Sequence, residues 1–533
     1  MEESSTQNLS PTKKALLALK QMQQKLEAIQ QAKHEAIAVV GTGCRFPGAN
    51  NPEEFWQLLV QGQDAISEVS AEHWAKNSYC NDGVNTPGKI CTARGGFVPH
   101  LKEFDASFFR IAPKEAASLD PQQRLLLEVS WEALENAGIA PDSLQGSATG
   151  VFIGICGTDY WHQLLNQEPN QIDAYLTTGN THSLASGRLS HFYGCTAPSL
   201  SLDTACSSSL VAVHLAIKSL REKESNLAIA GGVNRLIAPE VSINFSQAKM
   251  LSPDGRCKTF DNSANGFVRS EGCGLVILKR LSDAIADCDP IKVVLLGSAV
   301  NQDGRTSSIT TPNSLSQQAV IRQALANSKI EPQQISYLES HGTGTSLGDL
   351  IELEALSSVF KENERLVLGA VKTNIGHLES ASGIASLIKT ILVLQQQTIP
   401  ANLHLRSPNE QLDWQDSPFV LPTENLDWPG DEQARFAGVS AFGFSGTNAH
   451  VVVAEAPKLS NQEDSQPSSS NLFTLSARNK PALRQLVQDY AEYLANHSEL
   501  ELADICHTVN LGRSNFNHRL AGVVTSIEEL QTK

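Results

Sequence analysis

The sequence predicts an α/β fold, on three observations. From Glu35 to about Ala456, short β-branched runs alternate with longer helical ones, the order expected when helices cover a sheet. Two of the β-runs end in turns of small residues that display one reactive side chain and lead on to a helix, SLDTACSSSL at 201–210 and YLESHGTGTSLGD at 337–349. A duplicated α/β unit giving one reactive group from each half is the simplest account. Third, the 533 residues exceed what one ordinary hydrophobic core supports, so a large double-core unit with appendages is expected.

Taken in order, residues 1–34 stand apart. Ser10-Pro11 reads as a helix cap followed by proline at the first helical position. Ala15, Leu19, Met22, Leu26 and Ile29 then form an a/d seam of about two heptads, for which a loosely helical tail is the alternative on spacing alone. The first half of the body, about 35–285, carries strands near 36–40, 150–155, 199–204, 227–231 and 274–278. The second half, about 290–456, carries them near 291–296, 336–339, 367–371, 436–440 and 451–454. Helices are expected at 121–138, 207–220, 314–328, 350–360 and 381–395. The Ser-rich run 461–471 reads as a linker. After it, Ser476 caps a helix with Leu483, Leu486, Val487, Tyr490 and Leu494 on one face. A short helix at 502–511 and a strand at 520–525 follow, so 457–533 is expected to be a partial α+β appendage.

Composition narrows the function classes. A net charge of −16 and a pI near 5.4 argue against a duplex nucleic-acid binder or an anionic membrane surface. No apolar run approaches the roughly 18 residues of a membrane helix. The ten cysteines include no C-x-x-C spacing, and the N-terminus is polar and Gln-rich, which reads as reduced thiols in a cytoplasmic protein. There is no G-x-S-x-G elbow, P-loop or H-E-x-x-H zinc motif, and no metal or resident cofactor is expected. GTGCRF at 41–46 lacks the third glycine of a dinucleotide turn and reads as a close-packed strand exit. PDSL at 141–144 resembles a carrier-domain serine motif but lies inside the folded body.

Cys206 falls between a β-run and a helix expected to begin near Ser207, flanked by Ala, Ser and Thr. A thiol at a helix N-terminus feels free N–H groups that lower its pKa, and the same groups suit an oxyanion. A buried core cysteine is the bland alternative. His341 and His377 each follow a β-run and precede glycine or small residues, with Lys372 five residues before the second. A lone histidine is more often a core or capping residue. Two of them at strand ends, as neutral imidazoles, suit the stabilisation of an enolate, and Lys372 disfavours the imidazolium.

DTACSSSL, ESHGTGTSLGD and KTNIGHLESASG, in this order, resemble the three active-site motifs of the β-ketoacyl synthases, and more narrowly those of the ketosynthase domain of modular type I polyketide synthases. VVGTGCRFPGA, the run from Phe104 to Ile139, SGRLSHFYG, MLSPDGRCKTFD, NQDGRT and SAFGFSGTNAHVV extend the likeness over about 35–456. The resemblance implies a thiolase-like fold, a duplicated five-layer α-β-α-β-α body, in a homodimer. It implies that Cys206 takes an acyl chain from the phosphopantetheine arm of an upstream acyl carrier protein. His341 and His377 then promote decarboxylation of a malonyl-type extender on the module's own carrier protein, and the enolate condenses with the Cys206 thioester. Lys372 sets the electrostatics, with Glu352 as its expected partner. The N–H groups of Cys206 and Phe444 form the oxyanion hole, Phe444 also gates the pocket, and Thr343 and Thr345 bind the pantetheine arm. Residues 1–34 resemble an N-terminal docking coiled coil and 457–533 the start of a ketosynthase–acyltransferase linker, with an acyltransferase expected beyond.

Departures from the pattern are Leu350 for proline at an expected helix start, Arg110 for a frequent glycine, and Ser270 for glycine in VRSEG. None touches the Cys–His–His set. The rival from another class is a non-elongating member that only holds or docks an acyl chain, which typically loses the residue at His341. A thiolase or hydroxymethylglutaryl-type synthase would need a second cysteine or a different acid/base set.

Overall fold

The computed structural model describes residues 12, 19–20, 22–23, 33–81, 86–100, 102–415, 417–428, 434–458, 470–497 and 499–532. Of the N-terminal seam, Ala15, Leu26 and Ile29 lie outside the described residues, while Leu19 and Met22 are helical and exposed.

The first half supplies β1 (Ile37–Arg45), β2 (Thr149–Gly154), β3 (Ser199–Leu202), β4 (Leu227–Asn234) and β5 (Gly272–Arg280). The second supplies β6 (Val293–Gln302), β7 (Ile335–Glu339), β8 (Leu366–Gly369), β9 (Phe419–Val420), β10 (Phe436–Phe442) and β11 (Thr447–Glu455). They form one sheet of eleven strands in the order β9-β8-β7-β10-β11-β6-β1-β5-β4-β2-β3. The duplication is visible in this path. β1 is antiparallel to β5 and β5 to β4, while β4, β2 and β3 run parallel. The second half repeats it: β6 is antiparallel to β11 and β11 to β10, while β10, β7 and β8 run parallel. The halves meet where β1 pairs with β6, Ile37 opposite Leu295 and Val39 opposite Val293.

Helices make the remaining layers. α1 (Pro121–Asn136) and α2 (Ser183–Tyr193) cover the outer face of the first half. α3 (Ser208–Arg221) lies in the middle, α4 (Ser314–Ser328) and α5 (Ser346–Phe360) cover the second half, and α6 (Lys372–Ile375) is one turn. α7 (Ser382–Gln396) packs beside α3 between the two half-sheets. The strands alternate accordingly: Ile37 and Val39 face the central core, Ala38 and Val40 the first outer one, while Val451 and Val453 face the centre and Val452 the second outer core. Every residue of α7 from Ser382 to Leu394 is buried, the state of a helix with no solvent face.

GTGCRF continues β1 rather than leaving it. A Cβ at Gly41 would meet the Ala133 carbonyl at 2.5 Å and one at Gly43 the Val129 carbonyl at 2.8 Å, so both glycines let α1 lie directly on the strand. Arg110 adopts φ +58°, which explains why glycine suits that position.

Three differences from the sequence expectation bear on the site and the appendage. α5 starts at Ser346, not 350, because Asp349 accepts the N–H groups of Gly344 (3.0 Å) and Phe260 (2.8 Å) and anchors the first turn; Leu350 is therefore inside the helix. β8 ends at Gly369, so Lys372 opens α6. In the C-terminal appendage Ser476 belongs to a strand, β12 (Asn471–Ala477), that the sequence reading missed; it pairs with β13 (His518–Val524). The cap of α8 (Lys480–Asn496) is Asn479, whose side chain accepts the Ala482 N–H at 2.8 Å.

With α9 (Leu502–Leu511), the appendage buries its own small core around Phe473, Leu475 and Val509. It docks on α1. The Arg478 guanidinium lies 4.7 Å from the Phe108 ring and 4.9 Å from that of Phe516. Ser514 Oγ donates to Asp142 Oδ1 at 2.8 Å, and Arg513 donates to the Glu135 carbonyl at 2.8 Å. The PDSL run thus serves this seam. Arg478→Ala is expected to weaken docking by about 1–2 kcal/mol; hydrogen exchange should quicken over α9 and stay unchanged over α3 and α7.

Candidate active site

Cys206 is presented on a strained turn. After β3, Asp203 Oδ1 accepts the Ala205 N–H at 2.9 Å, and Ala205 is held at φ +56°, a conformation that costs a non-glycine residue about 1–3 kcal/mol. The serines of the run secure it. Ser207 Oγ donates to the Thr204 carbonyl at 2.9 Å, Ser208 Oγ donates to Ala205 O at 2.6 Å, and Ser209 Oγ accepts the Ile384 N–H at 3.0 Å, tying α3 to α7. A second loop, after β10, comes against this turn. A Cβ at Gly443 would fall 2.3 Å from the Thr204 carbonyl, so only glycine permits the approach. That approach brings the N–H of Phe444, together with that of Cys206 itself, onto the thiol.

The thiol is not the low-pKa group expected of a helix N-terminus. Burial pushes it up to about 11, and the charge of Glu379 adds to this; the two N–H groups and Lys372 act in the opposite direction. The physical reason is position. α3 starts at Ser208, two residues on, and the Leu210 and Val211 N–H groups go to the Ser207 carbonyl rather than to sulfur.

His341 follows β7. Its N–H and that of Gly342 donate to the two Glu352 oxygens at 2.7 and 2.8 Å. Lys372 Nζ donates to the His341 carbonyl. Glu352 and Lys372 thus hold the His341 peptide from opposite sides, and they act on each other through space, Glu352 favouring the protonated lysine. Burial pushes the Glu352 carboxyl up to about 7, against the two N–H bonds and Lys372. Burial also lowers Lys372, which Glu352 and then Glu339 oppose.

His377 follows α6. Its Nδ1 accepts the Glu379 N–H at 3.1 Å and lies 2.7 Å from Ser382 Oγ. An Nδ1 that accepts from a peptide N–H carries no proton, so the neutral ring has its hydrogen on Nε2. The His341 and His377 rings meet edge to face at 5.7 Å. Burial, then the Lys372 charge, drives both well below the ordinary histidine value. A rate that depends on both neutral rings is thus expected to stay flat as pH falls from 7.5 through 6.5, declining only in more acid solution; a pH–rate profile of condensation reads this directly.

Topology refines the kinship of the two reactive turns. Cys206 follows β3, the third strand of its half, and its counterpart is the segment after β8 that carries Lys372 and His377. His341 follows β7, whose counterpart β2 leads to Cys156. All these turns open on one cleft of 810 Å³, lined by Cys206, His341, His377, Phe444, Thr343 and Thr345 among others. The two threonine hydroxyls are 2.9 Å apart. Phe444 is 48% exposed at the mouth, its ring 6.4 Å from that of Phe245.

The sequence reading missed two residues here. Glu379, at φ +49°, forms a two-point ion pair with Arg269 and supplies the N–H that sets the His377 tautomer. Both lie in runs singled out above, yet no local pattern pairs positions 110 apart in the chain.

The chain matches three protein families: Beta-ketoacyl synthase, N-terminal domain, over 34–284; Beta-ketoacyl synthase, C-terminal domain, over 293–406; and CurL-like, PKS C-terminal, over 471–533. One phenolphthiocerol/phthiocerol polyketide synthase polypeptide of Mycobacterium tuberculosis is 49% identical over 486 residues, covering 90% of this chain and 31% of that protein. Another polypeptide of the same synthase, from the same species, is 44% identical over 530 residues, covering 97% and 24%. The chain thus spans about a third or less of the length of these curated relatives. Among solved structures, the ketosynthase from module 6 of the bacillaene synthase of Bacillus subtilis superposes with a TM-score of 0.87 at 38% identity, covering 93% of this chain and 84% of that one. The Streptomyces albus oxazolomycin ketosynthase domain gives 0.88 at 34%, covering 93% and 87%.

Proposed function

The chain belongs to the β-ketoacyl synthases, as a ketosynthase of the polyketide synthase type, an acyltransferase with the thiolase-like fold, and from that membership we propose how its residues divide the reaction. Cys206 attacks the thioester of an acyl chain delivered on the phosphopantetheine arm of an upstream acyl carrier protein. The N–H groups of Cys206 and Phe444 receive the tetrahedral oxyanion, and the carrier thiol leaves. A malonyl-type extender on a second carrier then enters past Phe444, its arm bonded by Thr343 and Thr345.

The bond between its α-carbon and carboxylate breaks, carbon dioxide leaves, and the electron pair becomes an enolate. Hydrogen bonds from neutral His341 and His377 stabilise the enolate oxygen. The α-carbon attacks the Cys206 thioester and expels the sulfur, which regains a proton, and the β-ketoacyl product departs on the carrier. Lys372 and Glu352 hold the His341 peptide, and burial with the Lys372 charge keeps the rings neutral. The observation that carries this reading is one cleft holding a thiol served by two N–H groups and two neutral imidazoles, one with its proton on Nε2.

The reading extends to assembly. β3 is the last strand of the sheet and leaves Leu200 46% exposed, which supports pairing with a second copy in a homodimer. Ten free thiols support a reducing, cytoplasmic setting; no helix among the described residues is long and apolar enough to cross a membrane. We assign residues 1–34 to docking, 35–456 to the ketosynthase and 457–533 to the start of a linker to an acyltransferase.

Intact mass spectrometry tests the proposal. Wild-type protein offered a panel of acyl thioesters should gain one acyl mass, and then lose it to malonyl-carrier protein as carbon dioxide is released. Acylation with no condensation on any extender would sink the elongation reading and favour a chain-holding protein.

A further inference from the structure

Beneath the two histidines lies a charge pair that the reaction as written does not use. Glu339, the last residue of β7, and Lys389, on α7, are both 0% exposed, with Glu339 Oε2 3.0 Å from Lys389 Nζ. Tyr337 donates its hydroxyl to the same oxygen. The other oxygen, Oε1, accepts the N–H of Val371 at 2.6 Å. Val371 is the cap of α6, and the next residue is Lys372, whose Nζ holds the His341 carbonyl.

These contacts close a ring. The chain runs from Glu339 through Ser340 to His341, the Lys372 side chain leads back to Val371, and Val371 returns to the Glu339 carboxylate. Ser340 braces it, donating both its N–H (2.9 Å) and its hydroxyl (2.8 Å) to the Gly369 carbonyl. The fold keeps room for the ring: a Cβ at Gly369 would lie 2.1 Å from the Tyr337 hydroxyl and 2.6 Å from Glu339 Oε2. A fully buried ion pair contributes little stability over a well-packed apolar pair of similar volume, so its place under the reactive groups calls for another account.

We propose that Glu339, paired with Lys389 and braced by Tyr337, is a positioning residue for condensation, holding Lys372 under His341. This rests on the roles given to His341 and Lys372 above. Lys372 is faced by Glu352 and Asp349 from α5, by Glu339 from β7, by Cys206 and Cys257, and by the two histidines. Of these, Glu352 first and then Glu339, with Cys257 and Cys206 behind them, favour its protonated form. The ring couples that charge to the backbone that aims His341, which acyl loading does not need.

The double variant E339L/K389M removes both charges and the oxygen that accepts from Val371, so the ring is opened. Its condensation kcat is expected to fall about tenfold or more. Loading of Cys206 should stay within about threefold, and KM for malonyl-carrier protein should change little. A folded double variant with wild-type kcat overturns the proposal, as does one whose loading and condensation fall together. If the double variant does not fold, Tyr337→Phe decides: a drop of about threefold or more in condensation with loading unchanged supports the ring, and a wild-type rate overturns it. Wild-type protein that never condenses is a different result, since it removes the functional reading before any variant is compared.

Discussion

Cys206→Ala protein, incubated with any acyl thioester that loads the wild type, is expected to show no acyl mass at all, and its condensation rate should fall by about 10⁴ or more. The Cys206 thiol has N–H groups brought onto it from two directions, its own and that of Phe444. Cys156 also lines the cleft but cannot replace it. Its Sγ lies 2.9 Å from Asp203 Oδ1 and 3.5 Å from Ser208 Oγ, and burial with the Asp203 charge pushes its pKa far up. The fold should survive the change. Alanine removes one sulfur atom at a half-buried position, and the turn is held by Asp203, Ser207 and Ser208 rather than by the thiol. Intact mass before and after acyl thioester, with a thermal melt beside it, checks both parts. A persistent increment on the alanine protein would move the acyl site elsewhere.

His341→Ala is expected to separate the two half-reactions. Loading should stay within about tenfold of wild type, since the groups that serve Cys206 in that step are its own N–H and that of Phe444. Condensation should fall by about 10³ or more, the combined loss of an enolate donor and of the edge-to-face partner that fixes His377. The backbone around the site should hold, because Glu352 and Lys372 grip the peptide of residue 341 and not its ring. Acylated His341→Ala protein should therefore accumulate in the presence of malonyl-carrier protein, visible as a stable mass increment. Equal loss of both half-reactions would place His341 in loading instead and return the enolate to His377 alone.

Legibility in the sequence followed distance along the chain. Cys206, His341 and His377 stand out in the sequence because each has small residues as its neighbours in the chain, and Lys372 because it lies five residues before His377. The helix 314–328 and the alternating runs were readable for the same local reason, and the matched order of the two half-sheets agrees with the repeat those turns suggested. The start of α5 was misplaced because Asp349 receives an N–H from Phe260, 89 residues away. β12 was missed because its short run follows a Ser-rich stretch and owes its burial to β13, α8 and α9. The partners Glu379–Arg269 and Glu339–Lys389 left no local trace at all.

By itself, then, the sequence determined the fold class, and it singled out the residues to which the reaction is assigned above, since turn chemistry and hydrophobic period act over a few residues. Tertiary structure alone decided their chemical state. It left Cys206 a thiol raised to about 11 instead of a dipole-lowered thiolate, set the proton of His377 on Nε2, and bound Glu352 to the His341 peptide while it acts on Lys372 through space. The reason is that burial and opposing charge fix a proton's position, and both are properties of what surrounds a group in space, drawn here from two halves of the chain that meet only when it is folded.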